Sequence, residues 1–220
     1  LDRLSKEIDN RNILDVIRNG FTDLGVRYKL AFFKPVSKLN PVTEELYNLN
    51  CLTVTRQFKY SQSNNNSVDI LICLNGLPII TAELKNQFTH QTVKEAKQQY
   101  ISTRDSRDLL FQFKKRSLVH FAVDTDEVYM TTKIDGDKTK YLPFNLGYKN
   151  GAGNPPNSEG YKTSYLWEYV WSKDSLLYII QRFLHLQVEE LNINDKTFKK
   201  EYLIFPRYHQ LDCVRKLNAD

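Results

Sequence analysis

At 220 residues, with 41% hydrophobic and 12% aromatic content, the chain carries enough apolar side chains to bury the core of one α/β domain. No window reaches the roughly 18 consecutive apolar residues of a membrane span, and the N-terminus lacks the basic-then-apolar layout of a secretory signal, so no membrane association is expected and the cytoplasm is the expected location. The net charge of +5 has the sign that suits a nucleic-acid partner but is too small to require one.

Taken in chain order, Leu4, Ile8, Ile13, Leu14 and Ile17 lie near helical spacing and Gly20 follows as a stop signal, which predicts one or two N-terminal helices. Asn40-Pro41 marks a turn, and residues 42–49 read as a short helix capped near Thr43. Residues 52–60 alternate apolar and polar side chains, as a half-buried strand does. After the polar loop 61–67, residues 68–74 form an apolar run of strand length broken by a single acid, Asp69. Asn75-Gly76 turns the chain back into a second strand over 78–85, with Pro78 at its start, where a missing backbone donor is tolerated.

Residues 90–104 read as a helix, and strands are predicted over 118–123 and 127–132. The Gly-, Asn- and Pro-rich stretch 145–160 is too loop-prone for a packed element and is long enough to be functional, which makes it the candidate gate of any site. From Ser164 to Leu186, apolar residues recur at helical spacing, and the aromatics among them are read as core. Cys51, Cys73 and Cys213 are odd in number and far apart, so buried free thiols are expected rather than a metal cluster. His90, His120, His185 and His209 are scattered and read as surface or satisfied core residues. The chain starts at Leu1 and ends within a predicted helix, so it is expected to be a fragment.

The chemistry concentrates in residues 69–85. A carboxylate among Val68, Ile70, Leu71 and Ile72 loses hydration unless a cation or hydrogen bonds compensate. On an extended strand Glu83 and Lys85 share a face, with Leu84 on the other. Two carboxylates and an ammonium suit phosphodiester hydrolysis: Asp69 and Glu83 hold Mg²⁺ with the main-chain carbonyl of Leu84 as a further ligand, and Lys85 stabilises phosphate charge or orients the attacking water. The alternative is structural, a partly buried Asp69 or Glu83 paired with Lys85. Register separates them. A strict two-residue Asn75-Gly76 hairpin opposes residue 69 to residue 82 and puts Asp69 and Glu83 on opposite faces, so a joint site requires an odd-numbered connection with a bulge. The tripeptide alone is cheap, because Glu95-Ala96-Lys97 imitates it in a polar helical stretch.

Asp69 followed 14 positions later by Glu83-Leu84-Lys85 resembles the PD-(D/E)xK nuclease signature. The runs 52–57 (LTVTRQ), 74–78 (LNGLP), 81–86 (TAELKN), 118–124 (LVHFAVD) and 151–157 (GAGNPPN) look like the restriction (R) subunit of type I restriction-modification enzymes over nearly the whole chain. The resemblance implies an α/β fold, a mixed sheet flanked by helices with a restriction-endonuclease-like core. It implies Asp69 and Glu83 as metal ligands, Lys85 as the catalytic lysine, and Mg²⁺ as the nuclease cofactor. The family's Q-x-x-x-Y element is absent as written, since Ala96 stands four positions before Tyr100. Gln99 and Tyr100, with Lys97 and Arg104 from the basic run 94–116, are candidate DNA contacts; a solvated helix face explains that run equally well.

Near the C-terminus, Phe205-Pro-Arg-Tyr-His-Gln210 looks like the adenine-contacting Q element that precedes the first motor motif of superfamily 2 helicases, with Gln210 presenting donor and acceptor to the base. No G-x-x-x-x-G-K-[ST] loop occurs in the chain, so this chain is not expected to hydrolyse ATP. The implied layout is a nuclease domain over 1–200 and the start of a helicase-like motor domain over 201–220. Implied partners are double-stranded DNA, the downstream motor with its ATP, and specificity and methylation subunits that use S-adenosylmethionine. Two alternatives stay open: a catalytically silent DNA-binding or subunit-docking module, and a PD-(D/E)xK nuclease of DNA repair.

Overall fold

Asn75 and Gly76 both adopt positive φ (50° and 83°), as a two-residue type I′ turn demands, and they join the two central strands of the domain. The computed structural model describes residues 2–37, 39–61, 64–193 and 196–218. Helices α1 (Asp2–Arg11) and α2 (Ile13–Asn19) stand where the N-terminal spacing places them, and α2 ends at Gly20, whose φ of 68° is left-handed. A small hairpin, β1 (Phe21–Asp23) and β2 (Val26–Tyr28), precedes α3 (Pro41–Asn48). The cap of α3 is Asn40 rather than a residue near Thr43: its side chain accepts from the Val42 N–H, and Pro41 occupies the first turn, where it has no donor to lose.

The main sheet has six strands in the order β3 (Leu52–Lys59), β4 (Ser67–Leu74), β5 (Leu77–Leu84), β6 (Val119–Val123), β7 (Val128–Thr131) and β8 (Leu142–Pro143). Neighbours are antiparallel except β5 and β6, which are parallel and joined through α4 (Val93–Thr103). The sheet is thus mixed and flanked by helices, an α/β fold. Strand β3 lies at the sheet edge and most of its side chains are exposed, more so than its alternating pattern suggests.

One face of the sheet carries the larger core, with Ile72, Leu74, Ile80, Ala82, Phe121 and Val123 packed on α2 and the C-terminal segment. The other face meets α4 through Leu71, Tyr100, Phe111, Val93, Ala96 and Ala122. Residues 164–186 are not one helix. A π-helical turn (Leu166–Val170) is followed by α5 (Lys173–Arg182), and the chain is extended again from His185. Trp171 packs edge-on against Phe121, whereas Trp167 is 44% exposed. Strands β9 (His185–Ile193) and β10 (Lys196–Ile204) form a separate antiparallel ribbon before α6 (Tyr208–Leu217). The boundary expected at residue 200 falls inside β10, and Leu203, Phe205 and Leu211 belong to the larger core. Cys51 and Cys213 are exposed and Cys73 is half-buried, so the thiols are free but not interior as expected. Among the described residues no helix is long and apolar enough to cross a membrane.

His120 illustrates how the sheet satisfies a polar group inside the core. It is buried, and its Nδ1 lies 2.7 Å from the Thr81 hydroxyl, which is itself 2.8 Å from the Tyr100 hydroxyl. Burial lowers the imidazole from 6.5 to about 3. The unfolded chain therefore takes up this proton first as pH falls through 6.5, and the contribution to stability is lost between there and about 3. Chemical denaturation at pH 7 and pH 5 is expected to show a loss of about 2 kcal/mol from this residue. His120→Asn is expected to be less stable at neutral pH but to lose little on the same acidification.

Candidate active site

The pairing of β4 with β5 decides which carboxylates meet. It runs Leu74↔Leu77 and Cys73↔Pro78, then slips by one residue so that Ile72 faces Ile80 and Ile70 faces Ala82. Ile79 is the extra residue. The connection is the two-residue turn, not the odd-numbered one expected, and the required slip sits in β5 instead. Carried one step beyond Ile70↔Ala82, this register opposes Asp69 to Glu83 and puts them on one face. Asp69 also replaces a rung of the ladder: its Oδ2 accepts the Leu84 N–H at 2.8 Å, so the backbone on which the Leu84 carbonyl was read as a ligand lies beside the Asp69 carboxylate.

The face that holds Asp69, Glu83 and Lys85 is covered by α4. Glu83 is 0% exposed; its Oε1 accepts from Arg104 Nε at 2.8 Å and Nη2 at 2.7 Å, while its Oε2 is buried without a hydrogen-bond partner. Burial pushes the Glu83 carboxyl up to about 7; Arg104 pulls it back and the nearby Asp69 charge pushes it further up. Lys85 does not pair with either carboxylate. Its Nζ donates to Gln99 Oε1 at 2.6 Å, and its backbone N–H donates to the Val123 carbonyl of β6.

Of the four residues read as DNA contacts, Lys97 and Gln99 remain partly accessible, with the Lys97 ammonium 3.9 Å above the Tyr129 ring. Tyr100 (0% exposed) and Arg104 (5%) are turned inward to Thr81 and Glu83, so as placed they are interior partners of the sheet rather than surface groups. The mimic tripeptide resolves as a helix cap: Glu95 Oε2 accepts from the Thr92 N–H and hydroxyl in a capping box. Gln210 is likewise a cap, its Oε1 accepting the Arg207 N–H at 2.9 Å at the start of α6. Loop 145–160 is pinned by the buried Asn154, whose side chain accepts from the Leu146 N–H and donates to the Asp126 carbonyl. It lies over the β6–β7 turn, at the end of the strand that receives the Lys85 N–H.

Sequence patterning missed Gln57 as a site residue and read Arg104 as a DNA contact rather than as the partner of Glu83. Gln57 Nε2 donates to Asp69 Oδ1 at 2.9 Å. The signal available for Arg104 was its place four residues after Tyr100, one turn along the buried helix face. Among the described residues no cluster of three or more His, Cys, Asp or Glu side chains could share a metal. A cation here would have to rest on two carboxylates plus backbone and solvent, a ligand set that Mg²⁺ accepts. The unpartnered, buried Glu83 Oε2 fits such an ion, since an orphaned carboxylate oxygen is costly without one.

Because Arg104 is the charge partner of a fully buried carboxylate, Arg104→Ala is expected to destabilise the protein by about 3–5 kcal/mol. Adding Glu83→Gln to that variant is expected to recover part of the loss in urea denaturation, because no ionised group is then left unpaired.

Comparison with known proteins gives this arrangement a family. A protein of Methanocaldococcus jannaschii, whose name as a type I restriction enzyme MjaVIIIP endonuclease subunit is itself provisional, is 25% identical over 235 residues, covering 98% of this chain and 19% of the relative. The chain thus spans about a fifth of the length of that relative. The family described as type I restriction enzyme R protein N terminus matches residues 3–139, more than half of the chain. The protein therefore belongs to the family of type I restriction enzyme R protein N-terminal domains.

Proposed function

We propose that the domain is a Mg²⁺-dependent endonuclease that cleaves double-stranded DNA without reading its sequence, as the nuclease part of a type I restriction enzyme R subunit. The observation that carries this reading is the opposition of Asp69 and Glu83 on one face, with an unpartnered buried oxygen on Glu83 and Lys85 two residues farther on, just past the end of β5. Asp69, Glu83 and the Leu84 carbonyl would hold the ion. Bound there, Mg²⁺ supplies Lewis acidity toward the phosphate and activates water.

The chain's own residues do the rest. Gln99 holds the Lys85 ammonium at the site, ready to exchange that contact for a phosphate oxygen and to stabilise the charge that develops on it. Lys97 and Gln99, both partly accessible on α4, would contact the DNA backbone, contacts that fix position without specifying sequence. No zinc-finger ligand spacing is present in the sequence, in keeping with cleavage directed by partner subunits. In the intact protein we assign target choice to specificity and methylation subunits with S-adenosylmethionine, and translocation to a downstream ATP-driven motor. A role for Gln210 at adenine requires its amide to leave the Arg207 N–H.

One observation favours a second reading, a catalytically silent DNA-binding or docking module: Glu83 already has a cationic partner in Arg104. Plasmid cleavage by the intact protein decides between them. Lys85→Ala is expected to fold normally, as judged by an unchanged melting temperature, and to lose about 10²- to 10³-fold in Mg²⁺-dependent cleavage. Asp69→Ala is expected to abolish it. Cleavage at the parental rate in both variants overturns the nuclease assignment.

A further inference from the structure

Gln57 sits directly across from Asp69 on the edge strand, between the pairs Arg56↔Ile70 and Phe58↔Val68, yet it forms no rung of its own. Its backbone is left-handed, with φ of 49°, a conformation that residues other than glycine, Asn and Asp rarely adopt and that recurs where a strand must re-aim a side chain at a functional site. Both ends of its amide are used. Nε2 donates to Asp69 Oδ1 at 2.9 Å, and Oε1 accepts from the Ser67 hydroxyl at 3.0 Å, which fixes which end of the amide faces the carboxylate.

Ser67 also serves the other acid. Its main-chain carbonyl accepts from Arg104 Nη2 at 2.7 Å, and the same guanidinium holds Glu83 Oε1. A chain of hydrogen bonds thus runs from Asp69 through Gln57, Ser67 and Arg104 to Glu83. Glu83 is gripped through one oxygen and Asp69 through both. Glu83 Oε2 is left without a partner, and the Asp69 oxygens, each accepting one bond, keep lone pairs for a further ligand.

We infer that Gln57 is a positioning residue of the metal site: its amide, oriented by Ser67, holds Asp69 in the rotamer that converges with Glu83 on a divalent cation. This rests on the nuclease reading given above, because it presumes that Asp69 and Glu83 bind an ion together. A purely structural Gln57 would behave differently, since glycine accommodates a φ of 49° without strain.

The test is calorimetric titration of Mn²⁺, as a Mg²⁺ surrogate, into the intact protein and its variants, with thermal melts of each. Gln57→Gly is expected to melt at or above the parental temperature yet bind Mn²⁺ about 10- to 100-fold more weakly, the usual effect of removing a group that orients a ligand. Ser67→Ala, which frees the amide without removing it, is expected to weaken binding by less. Parental Mn²⁺ affinity in Gln57→Gly overturns the inference while leaving the site intact. Mn²⁺ binding that is indifferent to Asp69→Ala overturns the metal site itself, and the positioning role with it.

Discussion

One extra residue, Ile79, decides the geometry of the whole domain. Without it, β4 and β5 would pair in the register dictated by the Asn75-Gly76 turn, and Asp69 would be directed to the face opposite Glu83. The slip also explains why β5 tolerates Pro78, which lies on the turn side of the irregularity where a backbone donor is least needed. Everything beyond the bulge inherits its phase. Ile80 and Ala82 go to the larger core, while Thr81, Glu83 and Lys85 go to α4, where Tyr100, Arg104 and Gln99 respectively receive them. A buried strand therefore alternates between a purely apolar face and a fully polar one.

The polar face is expensive to build, and its arrangement shows how the expense is contained. Glu83 is completely buried, and a single guanidinium that also binds the Ser67 carbonyl and the Tyr60 hydroxyl compensates it. Neighbouring hydroxyls and the neutral His120 are arranged so that each accepts or donates without acquiring charge. The site thus combines one carboxyl–guanidinium pair with a set of neutral partners, a composition that leaves a carboxyl oxygen without a protein partner in a dry setting, where electrostatic interactions are strong.

Much of this was legible in the sequence, and the parts that were not share a physical cause. The β4–β5 hairpin was readable because Asn-Gly between two apolar runs encodes a local turn, and α4 because residues 90–104 read as a helix, although the Thr92–Glu95 cap that starts it was not read. Contacts across long sequence separations were not readable. Gln57 looked like one more polar residue of an alternating strand, since periodicity does not report a reversal of φ. Arg104 looked like part of a basic surface run, because charge counts do not reveal which cation faces inward. The β9–β10 ribbon escaped because its paired Glu and Lys residues mask strand periodicity. The break of the 164–186 segment into a π-turn, a helix and a strand escaped because apolar spacing fits all three over short stretches.

Helix α4 is fastened to the sheet at both ends by acids that the sheet supplies. Asp124, at the end of β6, accepts the N–H of Val93 at its first residue, and Glu83 grips Arg104 immediately after its last. The 11 residues between these clamps measure about 16 Å along the axis, so the helix works as a ruler whose length is set by the sheet beneath it. A single inserted or deleted residue would rotate one clamp by about 100° relative to the other and strand a buried charge. The exposed side chains around Lys94 and Gln98 lie outside both clamps, so the accessible face can be retuned there while the spacing beneath stays fixed.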